Sequence, residues 1–367
     1  ADRIGWYDYL YGAAYCIPRV YPHLMQEYLH FGHANGVRAA YAEAYPFWGE
    51  GPKLYIYLKL LWDPSQDVDV LLDDWYIHCV GEQAAPYLRE YYAIWERFWT
   101  QEAPHLEWFG MGQQFLRFMR IDYLKGVDPA DMIRSRQLLD ACVTHAQTSD
   151  QQARAELLRR AFGYYEATYE AYRPEVIAQC EPIIDESSAL AAVEVLQNAP
   201  VANIRRFQLW DEFLEDEVLR PGIDLYEDRY RELTRNTWGV SLPWRLLDHA
   251  QTSPEVYNAL KNFQLPALDD PENPPFGYPS EELSANVQSL LAFIDRPKTL
   301  CTVDSSFENG IENQTPLFNA PWLTWPRGDD AHPQFRVTSE VIASTGTKSV
   351  KILGAPGYSA SVYQVVS

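Results

Sequence analysis

Acidic and aromatic side chains alternate with alanines in one short segment of the chain. Tyr41, Glu43 and Tyr45 are separated by single alanines. Successive side chains of a strand point to opposite faces, so the tyrosines and Glu43 would share one face and the alanines would pack under a helix. Because an unpaired buried charge is costly, Glu43 is either paired, with Arg19 or Arg38, or functional. The residues alone leave both interpretations open.

A second carboxylate stands in the preceding strand-like segment. Asp8 shares a face with Trp6, and Tyr7 and Tyr9 share the other face. Neighbouring strands lie ~4.8 Å apart, and retaining glycosidases place two carboxylates ~5–5.5 Å apart, inverting ones further. We predict that Asp8 and Glu43 point to the same side of adjacent parallel strands, and we treat them as candidate catalytic residues.

The next loop could present a ring and a carboxylate together. Trp48 and Glu50 are interleaved with Gly49 and Gly51, which let the backbone bend sharply. A tryptophan can stack on the apolar face of a sugar ring while a carboxylate binds the hydroxyls. The alternative is that Trp48 covers the start of the following helix and Glu50 favours that helix's N-terminus.

The elements that position these residues follow a regular order. The pattern predicts a strand over 3–11, a helix over 22–36, a strand over 37–45 and a helix over 53–62. This order indicates a parallel crossover, and we interpret it as the last two units of a (β/α)8 barrel, whose sites lie at the carboxyl ends of the strands. The alternative is that another segment of the chain covers the two strands.

The remainder predicts a mostly α multidomain fragment. We divide the chain into the β/α units at 1–66, an α-helical domain at 67–297 with a proline-rich loop at 265–279, and a partial β-sandwich at 298–367. Within the helical domain we expect helices to begin at Asp67 and Asp128. We also expect separate helices over 187–198 and 201–219, since proline interrupts helices, and a further helix over 224–238. Both ends of the chain look cut from a longer protein, so we expect a C-terminal fragment.

Composition excludes several classes of protein. Apolar residues form 47% of the chain, which argues against wholesale disorder. A formal net charge of -21 disfavours nucleic acid as a partner, and no apolar run reaches the ~18 residues of a membrane span. The 25 tyrosines and 12 tryptophans suit either sugar binding or an aromatic helical core.

Metal, redox and cofactor chemistry find little support in the sequence. The five cysteines are widely spaced, and no C-x-x-C pair occurs. The histidines do not combine with carboxylates at metal-ligand spacing, and phosphate-binding and nucleophile-elbow motifs are missing from the sequence. We therefore predict no metal and no cofactor.

Several motifs in the first hundred residues resemble a known family. They are Trp6-Tyr-Asp-Tyr-Leu-Tyr-Gly, Pro18-Arg-Val-Tyr-Pro, Glu43-Ala-Tyr-Pro-Phe-Trp-Gly-Glu-Gly-Pro, and Leu60-Leu-Trp-Asp-Pro with Trp75-Tyr. The segment looks like domain-of-unknown-function family 4838, which is similar to glycoside hydrolase family 163. The resemblance covers roughly residues 3–100 well and the later helices only loosely.

The resemblance implies a secreted or periplasmic retaining endo-β-N-acetylglucosaminidase that acts on complex N-glycans with its substrate's acetamido group as nucleophile. In related barrels the catalytic carboxylate pair follows strand four, which this chain lacks, so the catalytic acids would lie upstream. The resemblance leaves a set of substrate-binding candidates on the last two strands and the loop after them: Tyr7, Asp8, Tyr9, Tyr41, Glu43, Trp48 and Glu50.

The end of the chain carries a resemblance of its own. Val303-Asp-Ser-Ser-Phe-Glu-Asn-Gly, then Trp322, then Gly346-Thr-Lys-Ser-Val-Lys-Ile-Leu look like the opening of a carbohydrate-binding jelly roll. On this resemblance Trp322 and Trp325 are either sugar platforms or core residues.

Two alternatives to the glycosidase stay open. One is a non-catalytic glycan-binding or scaffold protein on a degenerate barrel. The other is an α-glucuronidase-like enzyme, which should aim a basic residue at the substrate carboxylate, and Arg19 and Arg38 are the nearby options.

Overall fold

The computed structural model describes most of the first 295 residues and four short strands beyond them. The described ranges are 4–10, 15–44, 49–110, 120–220, 239, 241–267, 275, 278 and 281–295, and the backbone of 323–325, 334–338, 349–353 and 361–363. The described part is mostly helical, as predicted. A helix predicted over 224–238 and most of the proline-rich loop 265–279 lie outside the described residues.

The chain opens with a strand–helix–strand–helix unit, which confirms the predicted order. Its elements are β1 (Ile4–Tyr9), α1 (Pro22–Ala34), β2 (Val37–Glu43) and α2 (Lys53–Trp62). The two strands pair in parallel, with α1 as the crossover. Proline at the first position suits the start of α1, where a backbone N–H would have no helical partner.

A helical array follows the β/α unit. It comprises α3 (Val68–Val80), α4 (Ala85–Arg97), α5 (Glu107–Gly110), α6 (Pro129–His145), α7 (Ser149–Cys180) and α8 (Glu186–Leu214), with a π-helical turn at Phe98–Glu102 and 3-10 turns at Ala103–His105 and Ile121–Gly126. The predicted caps Asp67 and Asp128 each accept a hydrogen bond from the first turn. Thr148 caps α7 in a capping box with Gln151.

Helix α8 corrects one prediction about proline. We expected two helices separated near residue 200, but α8 runs without interruption through Pro200. Proline removes one helical hydrogen bond and typically costs ~3 kcal/mol. Pro200 is buried, as are Ala199 and Ala202 of the same helix, and burial of its apolar ring offsets part of that cost.

The first compact unit, Ala1–Ile294, contains two hydrophobic clusters. The larger one joins the β/α unit to α3–α8 and is rich in rings; Tyr91, Trp95, Trp108 and Tyr165 are almost fully buried. Much of the aromatic content therefore builds the core, so the composition alone is not evidence for sugar binding. The predicted division at residue 66 falls inside this cluster, and the domain boundaries stay predictions.

The smaller cluster packs the first half of α8 against four further helices. These are α9 (Leu242–Arg245), α10 (Leu247–Thr252), α11 (Pro254–Lys261) and α12 (Glu281–Asp295).

The second compact unit, Asp295–Ser367, is described only through short strands. They are β3 (Leu323–Trp325), β4 (Gln334–Thr338), β5 (Ser349–Leu353) and β6 (Ser361–Tyr363). β3 pairs with β6 and β4 pairs with β5, both antiparallel. The β-sandwich stays a prediction. Trp322 lies outside the described residues, and Trp325 is described only as part of β3.

Candidate functional site

The register of β1 and β2 decides which side chains share a face. Tyr7 pairs with Tyr41 and Tyr9 pairs with Glu43, whereas Asp8 pairs with Ala42. Paired residues of parallel strands point to the same face. Glu43 therefore lies on the tyrosine face and Asp8 on the opposite face, so the prediction that the two carboxylates point to the same side is wrong.

The tyrosine face of the sheet is open to solvent. Tyr7, Tyr9 and Tyr41 are 54%, 40% and 61% exposed. The Tyr7 ring lies between the other two, with centroids 5.0 Å from Tyr41 and 5.1 Å from Tyr9. The Tyr7 hydroxyl donates a hydrogen bond to the Glu43 carboxylate. We call these four residues the ring platform: three adjacent rings with a half-buried carboxylate at the carboxyl end of β2.

The opposite face of the sheet packs on helix α1. The Tyr28 hydroxyl donates to Asp8 Oδ2 at 2.8 Å, and the Tyr9 backbone N–H donates to Asp8 Oδ1 at 2.7 Å. A Cβ at Gly32 would stand 2.5 Å from the Trp6 ring, so α1 approaches the sheet closely there. Burial, and then the Asp8 charge, raise the pKa of Tyr28. Asp8 thus serves this interface.

The loop after β2 buries its carboxylate. Glu50 is 6% exposed and forms an ion pair with Lys53, which is 0% exposed. Burial lowers the pKa of Lys53 to about 8, although Glu50 opposes the shift. Gly49 and Gly51 adopt positive φ of 70° and 57°, which favours glycine. Glu50 is therefore not presented to solvent, and Trp48 lies outside the described residues.

A second cation lies after β1, in the segment leading to α1. The Arg19 guanidinium lies 4.7 Å from the Tyr15 ring centroid and 4.8 Å from that of Tyr21. Its Nη1 donates to the Tyr21 hydroxyl at 3.4 Å, and burial raises the pKa of Tyr21 to about 12. Lys53 lies 5.9 Å from the same Tyr21 ring. Arg19, which is half-buried, and Lys53, which is buried, thus form a cationic cluster in the segments that follow the carboxyl ends of β1 and β2.

Sequence reasoning found part of this arrangement. Arg19 was a candidate from the sequence, whereas Lys53 was predicted only to begin a helix, and Tyr15, Tyr21 and Tyr28 were not among the candidate site residues. The i,i+3 spacing of Glu50 and Lys53 was a usable signal for the ion pair, whereas its burial depends on residues from another segment. Arg38 donates to the carbonyls of residues 33 and 37, at the amino end of β2 and away from the strand ends.

The described part of the molecule offers few other kinds of chemistry. Within it, His, Cys, Asp and Glu side chains form no group of three or more that could hold a metal ion. Four cysteines, at positions 16, 79, 142 and 180, are free thiols. Among the described helices, none is long and apolar enough to cross a membrane.

Comparison with known proteins supports one part of the resemblance. No curated protein and no solved structure matches the chain. Residues 1–93, which hold β1, α1, β2, α2 and the cationic cluster, match the family described as "Domain of unknown function (DUF4838)".

Proposed function

We propose that this chain supplies the glycan-binding face of a glycoside hydrolase, with β1 and β2 as the last two strands of a (β/α)8 barrel. The proposed activity is that of a retaining endo-β-N-acetylglucosaminidase assisted by the substrate's acetamido group, and the catalytic acid pair would lie upstream of this chain. The observation that carries the proposal is the ring platform, with its three exposed tyrosine rings beside the Glu43 carboxylate.

The platform has the chemistry that a sugar needs. Sugar rings present apolar C–H faces, which stack on aromatic rings, and hydroxyl edges, which donate to carboxylates. Tyr7 already donates to Glu43, so one carboxylate oxygen is oriented by a ring of the same platform. Contiguous exposed apolar surface, here three adjacent tyrosine rings, commonly marks a site that binds a ligand or a partner.

The sheet geometry supports the barrel. Parallel sheets are normally covered on both faces, and here α1 covers only the face that carries Trp6 and Asp8. In the proposed barrel the ring platform faces the interior near the carboxyl ends of the strands, where barrel enzymes bind substrate. Residues 298–367 would add a carbohydrate-binding β-sandwich, and the whole protein would work outside the cytoplasm.

One observation favours a second candidate, an α-glucuronidase-like enzyme. Arg19 and Lys53 both follow the carboxyl ends of the strands, where a substrate carboxylate would bind. Glu50 already pairs with Lys53, so the cluster can also be satisfied internally. Binding of uronic-acid-bearing glycans in preference to neutral ones would favour this candidate, and the reverse preference would favour the glucosaminidase.

The test is calorimetric titration of the chain with complex N-glycans and with chitobiose. Tyr7→Ala and Tyr41→Ala should each weaken binding by ~1–3 kcal/mol, roughly 5- to 150-fold, by analogy with base stacking on aromatic rings. Trp62→Ala is the matched control, because Trp62 is 90% exposed but lies at the far end of α2. Equal losses in all three variants, or no binding by the parent chain, would refute the platform.

A further inference from the structure

A groove runs between helices α7 and α8, apart from the ring platform. Its volume is about 740 Å³, within the ~300–1,000 Å³ range of small-molecule sites. Small residues, Gly163 and Ala167 on α7 and Ala202 on α8, line part of it. A Cβ added at Gly163 would meet only ordinary contacts, the nearest at 3.7 Å. Gly163 therefore leaves room between the two helices.

Arginines dominate the polar lining of this groove. Five of the chain's 30 basic residues line it: Arg136, Arg159, Arg160, Arg173 and Arg205. Each of the five is paired with a carboxylate, Arg159 with both Asp140 and Glu156, so the groove presents oriented guanidinium groups rather than uncompensated positive charge. All five are arginines, whose planar fork suits carboxylate, sulfate and phosphate oxygens better than the point charge of lysine does.

Two of these guanidinium groups are held in place by two-bond ion pairs. Arg136 lies 5.3 Å from the Phe162 ring centroid and forms a two-bond ion pair with Glu166. Arg173 forms a two-bond ion pair with Glu181. Each guanidinium has five N–H donors; a two-bond pair uses two of them, and Arg136 gives a third to the Arg159 carbonyl at 3.3 Å. Anchored groups with donors to spare are the usual basis of a preorganised anion site.

The ion pairs by themselves could simply tie the helices together. Arg160 of α7 pairs with Asp216, just beyond α8, at 2.9 Å, whereas Arg205 pairs with Glu212 of its own helix at 2.6 Å. Stabilising pairs need no ligand-sized space beside them, however, and exposed pairs contribute only ~0–1 kcal/mol. Arg160 and Arg205 are 38% and 48% exposed, so stability explains little of this arrangement.

Carboxylates also line the groove and narrow the class of ligand. Glu166, Glu170 and Glu212 stand among the arginines. They repel a bare anion but accept hydrogen bonds from hydroxyl groups. We propose that the groove binds a saccharide carrying a phosphate or sulfate ester, with arginines on the oxyanion and glutamates on the sugar hydroxyls. A groove of about 740 Å³ has room for a mono- or disaccharide.

The experiment is calorimetric titration of the full chain at low ionic strength. The probes are glucose 6-phosphate, glucose 6-sulfate, inorganic phosphate and glucose. We expect one of the two esters to bind at least tenfold more tightly than inorganic phosphate or glucose, and comparison of the esters tells which oxyanion is preferred. Four equally weak titrations, without saturation up to ~10 mM, would overturn the proposal.

Variants locate the binding. Arg205→Gln should weaken ester binding about five- to tenfold, since a charge-assisted hydrogen bond is lost. Glu212→Gln releases Arg205 from its ion pair and should tighten binding of inorganic phosphate. Arg134→Gln is the matched control, because Arg134 lies on α6 two residues from Arg136, forms a two-bond pair with Glu90 and does not line the groove. An effect of Arg134→Gln as large as that of Arg205→Gln would overturn the assignment.

Discussion

The buried ion pair between Glu50 and Lys53 allows a sharp test of what the loop after β2 does. Both side chains are almost fully buried. Removing one partner of such a pair typically costs ~3–5 kcal/mol; Lys53→Met still leaves Glu50 near the Arg19 charge, so the cost of that variant should lie at the lower end. Replacing both by neutral groups of similar volume is often nearly neutral. We therefore expect Glu50→Gln and Lys53→Met each to destabilise the protein strongly and the double variant to recover most of the loss.

The expected loss of stability follows from the burial of the Glu50–Lys53 pair, so a solvent-exposed ion pair is the control. Arg134 and Glu90 are joined by hydrogen bonds of 2.7 and 2.8 Å, yet their side chains are 46% and 49% exposed. The coupling energy of Arg134→Gln with Glu90→Gln should be ~0–1 kcal/mol. The two single losses in the buried pair sum to ~6–10 kcal/mol, and a double variant that recovers most of them implies a coupling energy of at least ~4 kcal/mol. Urea unfolding followed by far-UV circular dichroism measures both cycles.

One result would refute a structural role for the Glu50–Lys53 ion pair and point to a role in binding. If Lys53→Met unfolds at the same urea concentration as the parent chain, the ammonium is not a structural partner of Glu50. Should that stable variant also lose affinity for uronic-acid-bearing glycans, Lys53 would belong to the substrate site, and the α-glucuronidase-like candidate would gain the advantage.

Three further predictions concern pH, packing and turnover. The His23 ring lies 2.7 Å from Glu96 and 3.1 Å from Asp69, and the hydrogen bond to Glu96 raises the pKa of His23 to about 9. The stabilisation from the charged ring, ~1 kcal/mol after allowance for its half-exposure, should be complete below pH ~6.5 and lost as pH rises through about 9. The free energy of unfolding of His23→Gln in urea should therefore converge with that of the parent at alkaline pH, and a pH-independent difference would contradict this. Gly51→Ala should cost ~2–4 kcal/mol of stability, because φ is 57° and the new Cβ would stand 2.2 Å from the Tyr92 ring. Its control, Gly36→Ala, has φ of 90° and open space around the new Cβ, and should cost only ~1 kcal/mol of backbone strain. Equal melting temperatures of the two variants would show that the Tyr92 ring moves aside without cost. This chain alone should hydrolyse neither N-glycans nor aryl glycosaminides, and turnover by the purified chain would mean that the catalytic groups lie within it.

The sequence predicted those elements whose signals are local. Alternation of alanine with larger residues placed the helix-facing side of β2, and Ala42 and Ala44 do pack against the core. Asp67 and Asp128 marked helix starts through their own side-chain oxygens. These signals succeed because the cause and the effect lie within one turn of the chain.

Predictions failed where the outcome depended on a distant segment. The alternating pattern shows which side chains share a face within one strand. Whether Asp8 and Glu43 lie on the same face of the sheet depends on the register between the two strands, and a shift of one residue in that register reverses the answer. Pro200 reads locally as a helix break, yet it is buried inside α8. The burial of Glu50 and Lys53 likewise depends on Tyr15, Tyr21 and Tyr165, which arrive from the β1–α1 segment and from α7.

The register also limits the catalytic roles open to the two carboxylates. Asp8 is engaged by the Tyr28 hydroxyl and by a backbone N–H on the α1 side of the sheet, so a sugar on the exposed rings cannot reach it without displacing the helix. Glu43 lies on the exposed side, next to Tyr7. A glycosidase that uses two carboxylates must place them on opposite sides of one glycosidic bond. Asp8 and Glu43 cannot do this together across the sheet, so a reaction on the ring platform would take at most Glu43 from these strands and its remaining acid from another element.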